Sequence, residues 1–130
     1  MVHVLSSRVL LRPTDPERSR FFYGEQLGLA VHREFGTGAE RGTVYFLGGG
    51  FLEVSGRSRT PSAPALRLWL QIEDAAAARD ELLARGVGIE RDPVREPWGL
   101  IEMWTRDPDG TRIVLVEVPA DHPLRYRPEI

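Results

Sequence analysis

The sequence predicts an α+β fold built from two tandem βαβββ modules. Three observations carry that expectation: the order strand, helix, three strands occurs twice, marker positions recur at one spacing, and a specific turn introduces the last strand. Arg8 to Arg67 and Asp15 to Asp74 are both separated by 59 positions (67 − 8 and 74 − 15). The turn is Asp107-Pro108-Asp109-Gly110, in which proline fixes φ, the aspartates bond nearby amides and glycine supplies a φ > 0 position. The branched run from Arg112 to Val118 then reads as a strand. On it Ile113, Leu115 and Glu117 share one face and Val114, Val116 and Val118 the other, so Glu117 is a lone acid on an apolar strand.

Module one spans about residues 7–56. It opens with a strand from Ser7 to Arg12, where Val9 and Leu11 alternate with Arg8, Leu10 and Arg12. Asp15 is a good N-cap, Pro16 suits the first helical position and Glu17 favours the positive end of the helix dipole. That helix ends near Gly28, after Phe21, Phe22 and Leu27. Strands follow near Leu29–Phe35, Thr43–Leu47 and Phe51–Ser55, separated by Gly36-Thr37-Gly38 and Gly48-Gly49-Gly50. Residues 57–65, with Pro61 and Pro64 among small and polar residues, form a linker.

Module two spans about residues 66–119 and repeats the order. Leu66–Ile72 is a strand, Asp74 caps an Ala-rich helix to Arg85, and Gly86 ends it. Leu82 and Leu83 are expected toward the sheet, with Arg79, Asp80 and Glu81 toward water. Strands near Val87–Arg91, Leu100–Arg106 and Arg112–Val118 complete the module, with Pro93, Pro97 and Gly99 breaking the chain between the first two. Matching Glu53 to Glu117 gives a spacing of 64 (117 − 53), which implies a short insertion. Residues 120–130, with Pro123 and Pro128, read as a tail that is either an extended arm or partly disordered.

Composition narrows the function classes. A chain of 130 residues is one domain with room for a core. With no cysteine, disulfides, thiolate metal sites and a cysteine nucleophile are excluded. The 17 basic and 19 acidic residues are well mixed, giving no basic stripe for nucleic acid and no polybasic membrane patch. No apolar run approaches a spanning helix, and His3, Ser6, Ser7 and Arg8 interrupt any signal-peptide core, so a cytoplasmic location is expected. Gly48-Gly49-Gly50 is not followed by a helix bearing Lys and Ser or Thr, so it is a hairpin turn rather than a phosphate loop.

Two tandem βαβββ units, the first containing Phe22-Tyr23 and Leu27-Gly28-Leu29 and the second closing on Asp107-Pro108-Asp109-Gly110 with Glu117, resemble the vicinal oxygen chelate superfamily. That group holds glyoxalase I, bleomycin-resistance proteins, extradiol dioxygenases and fosfomycin-resistance enzymes. The resemblance covers roughly residues 7–119. It implies a mixed β-sheet curled around a cavity, helices outside, and a homodimer. It specifies the fold far better than the reaction, because one fold hosts many chemistries.

In metal-dependent members the ligands come from the first and last strands of each unit. Carried over by position, they fall on Arg8, Glu53, Arg67 and Glu117. The acids match, but arginine stays protonated and has no lone pair for a metal. Two carboxylates alone make a poor transition-metal site. His3, His32 and His122 are badly placed to supply the missing donors. The expectation is therefore no metal and no cofactor, with Arg8 and Arg67 standing in the metal's place and bonding Glu53 and Glu117. Adjacent arginines would also weaken those acids as general bases. Two roles stay open for the quartet: holding the sheets together, or contacting a ligand.

By strand parity Trp69 and Gln71 follow Arg67 into the cavity, and Leu10, Phe51, Ile113 and Leu115 lie beside the charged positions. Trp98, between Pro97 and Gly99, suits stacking on a ligand at a cavity mouth or covering a core edge. The expected function is binding of a small organic molecule through Arg8, Glu53, Arg67, Trp69, Trp98 and Glu117, with antibiotic or toxin sequestration its most concrete form. Whether any reaction is catalysed is left open. The alternatives are a metal-dependent lyase, isomerase or dioxygenase using Glu53 and Glu117, and a dimeric structural module whose pocket is filled.

Overall fold

A computed structural model of the chain describes residues 1–124; the end of the expected tail lies outside the described residues. The elements are β1 (Arg8–Leu11), α1 (Pro16–Phe21), β2 (Val31–Phe35), β3 (Gly42–Leu47), β4 (Gly50–Ser55), β5 (Arg67–Ile72), α2 (Ala75–Ala84), β6 (Ile89–Arg95), β7 (Ile101–Arg106) and β8 (Arg112–Glu117). They form two mixed four-stranded sheets, ordered β1-β4-β3-β2 and β5-β8-β7-β6. In each, the first and last strands of the module pair in parallel and the remaining pairs are antiparallel. This is the expected α+β fold of two βαβββ modules.

The chain divides into two compact units. The first comprises residues 1–66 and 107–111, the second, among the described residues, 67–106 and 112–124. In the first, the Asp15 carboxylate accepts from the Arg18 amide at 3.3 Å and Pro16 begins α1. From Phe22 to Gln26 the helix widens into π-helical turns, closed by Leu27 N–H bonding the Phe22 carbonyl at 2.7 Å. The core of this unit puts Phe22 and Tyr23 with Leu11, Tyr45, Leu52 and Val54, all nearly inaccessible. Gly36 is required where it stands: its φ is +68°, and a Cβ there would lie 2.3 Å from the Glu40 carbonyl oxygen.

The Asp107-Pro108-Asp109-Gly110 turn forms as expected. One Asp107 carboxylate oxygen accepts from the amides of Asp109 at 2.9 Å and Thr111 at 2.8 Å, and Gly110 takes φ 85°. Its other oxygen accepts from the Tyr23 hydroxyl at 2.8 Å. Burial first pushes the Asp107 carboxyl pKa up, and the Tyr23 hydroxyl with the two amides offsets only part of that. Asp109 in turn accepts from the amide of Thr14 at 2.9 Å and from its hydroxyl.

In the second unit Asp74 caps α2 by accepting from the Ala77 amide at 3.0 Å. The helix ends in a Schellman motif: Val87 N–H reaches the Leu82 carbonyl at 2.9 Å, Gly86 N–H reaches Leu83 at 3.1 Å, and Gly86 has φ 82°. Leu82 and Val87, the hydrophobic pair of that motif, are buried. Leu83, expected toward the sheet, is instead 45% exposed, because it lies one residue around the helix from the buried Leu82 stripe. The expected break at Pro93 is also corrected: β6 runs through it to Arg95. As an edge strand β6 tolerates a missing N–H, and its register shifts between Arg91 and Val94.

Candidate functional site

The sheet of the first unit presents one face to its helix and a second face made in rows. Across β1, β4 and β3 the first row is Arg8, Phe51 and Phe46; the second is Leu10, Glu53 and Val44, continued on β2 by Arg33. Arg8 reaches diagonally to Glu53, Nη1 to Oε1 at 2.8 Å, while Ser55 Oγ donates to Oε2 at 2.6 Å. The Glu53 carboxyl is held below its ordinary pKa, first by the Ser55 hydroxyl and, against the cost of burial, by Arg8 and Arg33. Beside it, His32 packs on Phe46 and Phe51 with ring centroids 4.9 and 4.7 Å away. Leu10 is 69% exposed on this face.

The face of the second unit is layered more sharply. Register places Arg106, Arg112 and Arg67 in one row across β7, β8 and β5. Trp104, Val114 and Trp69 form the next row, and Glu102, Val116 and Gln71 the third. Arg112 and Arg91 stack on Trp104, their guanidinium carbons 4.5 and 3.8 Å from the ring centroid. Arg91 pairs with Glu96; Arg106 and Arg112 share Glu90. Trp104 thus packs over the buried Leu100, Val114, Val116 and Val118 cluster, whereas Trp69 is half exposed.

Trp98 stands on the turn before β7, 57% exposed, with its Nε1–H donating to Glu102 at 2.8 Å. The tail beyond β8 returns to this turn: the His122 ring bonds the Trp98 carbonyl through Nε2 at 3.1 Å and accepts the Leu124 N–H through Nδ1 at 3.1 Å. The turn is therefore pinned on two sides, which leaves the indole presented with little rotational freedom.

Two expectations about the acids are corrected. Arg67 lies opposite Arg112, and Glu117 lies opposite Ile72, so Arg67 and Glu117 occupy opposite ends of the β5–β8 pair and form no ion pair. Glu117 also points from the other face, with Ile113 and Leu115, and its carboxylate accepts the Ala75 N–H at 2.9 Å at the start of α2. The cause is register. Arg8 pairs with Phe51 and Arg67 with Arg112, a module spacing of 61 (112 − 51) on the last strand rather than 64. Val114, not Glu117, stands where Glu53 stands in module one. Ile113 and Leu115 accordingly belong to the helix-side core.

The residues at the superfamily's ligand positions do not fit a metal. Arg8 and Arg67 have no donor lone pair, Val114 has no donor at all, and Glu53 already uses both oxygens on Arg8 and Ser55. Among the described residues no group of three or more His, Asp or Glu side chains is placed to hold a metal ion. Sequence reasoning missed Ser55, Arg91 and Arg112; for Trp104, alternation with Met103 alone leaves the direction open. Ser55 carried a usable signal, since it shares the face of Glu53 two residues on.

A sequence profile of the glyoxalase/bleomycin resistance protein/dioxygenase superfamily matches residues 2–115. Among solved structures, TnmS3, an antibiotic-binding protein from Streptomyces sp. CB03234, is 24% identical with a TM-score of 0.76, covering 92% of this chain and 99% of its own. A glyoxalase/bleomycin resistance protein from the same organism is 26% identical with a TM-score of 0.68, over 85% and 97% of the two chains. A member of the superfamily from Sphaerobacter thermophilus DSM 20745 is 24% identical with a TM-score of 0.71, over 89% and 98%. No curated protein gives a significant match. Among the described residues no helix is long and apolar enough to cross a membrane. With the profile spanning both modules and the strand order of each, the chain belongs to the glyoxalase/bleomycin resistance protein/dioxygenase superfamily.

Proposed function

We propose that this protein binds a small organic molecule without a metal, and that sequestration of an antibiotic or similar toxic compound is its role. The observation that carries this reading is the Arg8–Glu53–Ser55 network, which occupies a ligand position of the superfamily with a closed set of charge-assisted hydrogen bonds. Such a network holds a guanidinium in a fixed place but offers no open coordination position and no free base. On the second unit the exposed indoles of Trp69 and Trp98 supply stacking area and Arg67 supplies charge; on the first unit Arg8 supplies charge. Glu53 orients Arg8. Glu117 is left out of this set, since it serves α2. The antibiotic-binding TnmS3 supports the same class of role.

We take the working particle to be a homodimer, the arrangement the resemblance implies. Leu10, Val31 and Phe46, at 69, 51 and 45% exposed, supply apolar surface of the kind a second copy would cover. The test of function is calorimetric titration of an antibiotic panel into chelator-treated protein. At least one aromatic compound should bind, and Arg8→Gln should weaken it. A panel that binds only after a divalent metal is restored would overturn the proposal.

A further inference from the structure

Resting on that reading, we infer that the strip Arg67–Trp69–Gln71 on β5 selects an aryl anion: a planar ring with an acidic group one strand repeat away and a polar group on the opposite side. The three residues share one face of an edge strand, so their side chains follow at steps of about 6.6–6.8 Å. They present, in order, a cation, a stacking surface and an amide.

The neighbouring rows decide which parts of the face remain available. Trp104 has its ring taken by Arg91 and Arg112, so it is no platform for a ligand. Trp69 is half exposed and carries no ring or cation contact among the described residues. Arg112 and Arg91 have carboxylate partners in Glu90 and Glu96, whereas no carboxylate of the described residues pairs with the exposed Arg67. Arg67 is also opposite Arg112, a like-charge pair across the two strands, and an anion bound there relieves that repulsion. A guanidinium prefers a planar, two-oxygen acceptor, so carboxylate on an aromatic frame is the matching chemistry. Gln71, half-buried in the row of Glu102, adds one donor and one acceptor at the far edge.

The experiment compares biphenyl-4-carboxylate with biphenyl-4-carboxamide by calorimetry on the full chain, alongside the antibiotic panel. The acid and the amide have the same shape, and the distal ring stands about one row spacing from the polar group. The carboxylate should bind about tenfold more tightly than the amide, a difference of roughly 1.4 kcal/mol. Arg67→Gln should abolish that preference by weakening the carboxylate about tenfold more than the amide, Arg67→Lys should restore part of it, and Trp69→Ala should weaken both ligands. Arg67 is exposed on an edge strand, so the variant folds, checked by circular dichroism and melting temperature. Equal affinities for acid and amide, or a preference that survives Arg67→Gln, would overturn this inference while the broader ligand-binding reading stands. Failure of these probes together with the whole panel would remove that reading as well.

Discussion

Tyr23→Phe isolates one buried contact, the hydroxyl bond to Asp107 at 2.8 Å. The ring itself is fully buried, and phenylalanine preserves its packing, including the edge contact with Phe22 at 4.9 Å. What is lost is one of three donors to a carboxylate that is only 7% exposed. A hydrogen bond to a charged buried group is worth about 1.5–3 kcal/mol. For a chain of 130 residues that corresponds to a fall of about 5–11 °C in melting temperature. Burial raises the folded-state pKa of Asp107 above its ordinary value, so its contribution to stability is complete below the unfolded carboxyl range and is lost as pH rises through the raised value. Deleting the hydroxyl raises that pKa further, so the deficit should be larger at pH 7 than at pH 4. Differential scanning calorimetry at both pH values measures it, and a double-mutant cycle with Asp107→Asn should give a coupling of about 1 kcal/mol or more. A variant melting within about 2 °C of the parent at pH 7, or an equal deficit at both pH values, would show that this bond does not hold the turn.

Glu53→Gln should cost about 1 kcal/mol or less at pH 7, because Arg8 is 38% exposed. The Glu53 carboxyl is depressed by Ser55 first and then Arg8, so its stabilisation is present above the ordinary carboxyl pKa and disappears as pH falls through the depressed value; urea melts of parent and variant should converge once the pH is below that depressed value. Gly36→Ala should lose at least about 1–2 kcal/mol by urea denaturation, since its φ is +68° and the new methyl meets the Glu40 carbonyl. Glu117→Gln should lower stability by about 0.3–1 kcal/mol through the N-terminus of α2 and leave ligand affinity unchanged; a loss of affinity would return Glu117 to the binding face.

Element order was legible because its signals are local. Asp15 with Pro16, Asp74, Gly86 and the Asp107 turn act within a few residues, and all appear where expected. Face was legible wherever one strand alternates cleanly: Leu68 is buried and Trp69 half exposed, as parity requires. Register between strands was not. Equating Glu53 with Glu117 rested on shared chemistry, and the three-position error turned Glu117 from the ligand face to the helix face. The Arg8–Glu53 pair survived because the two residues are diagonal neighbours in the β1–β4 register, whereas Arg67 and Glu117 stand at opposite ends of β5–β8. The Arg91–Trp104–Arg112 stack escaped because it depends on neighbours across strand boundaries, which alternation within one strand does not reveal, whereas Ser55 lies two residues from Glu53 on the same strand and its parity was there to be read.

The central claim is that the Arg8–Glu53–Ser55 network has taken the place of a metal ligand. Elemental analysis of protein purified without any chelator measures this most directly. Metal content should stay far below one equivalent per chain for zinc, iron, nickel, manganese and cobalt alike. A stoichiometric transition metal in the purified protein would mean that donors other than those assigned here assemble a site, and the metal-free binding proposal would fall.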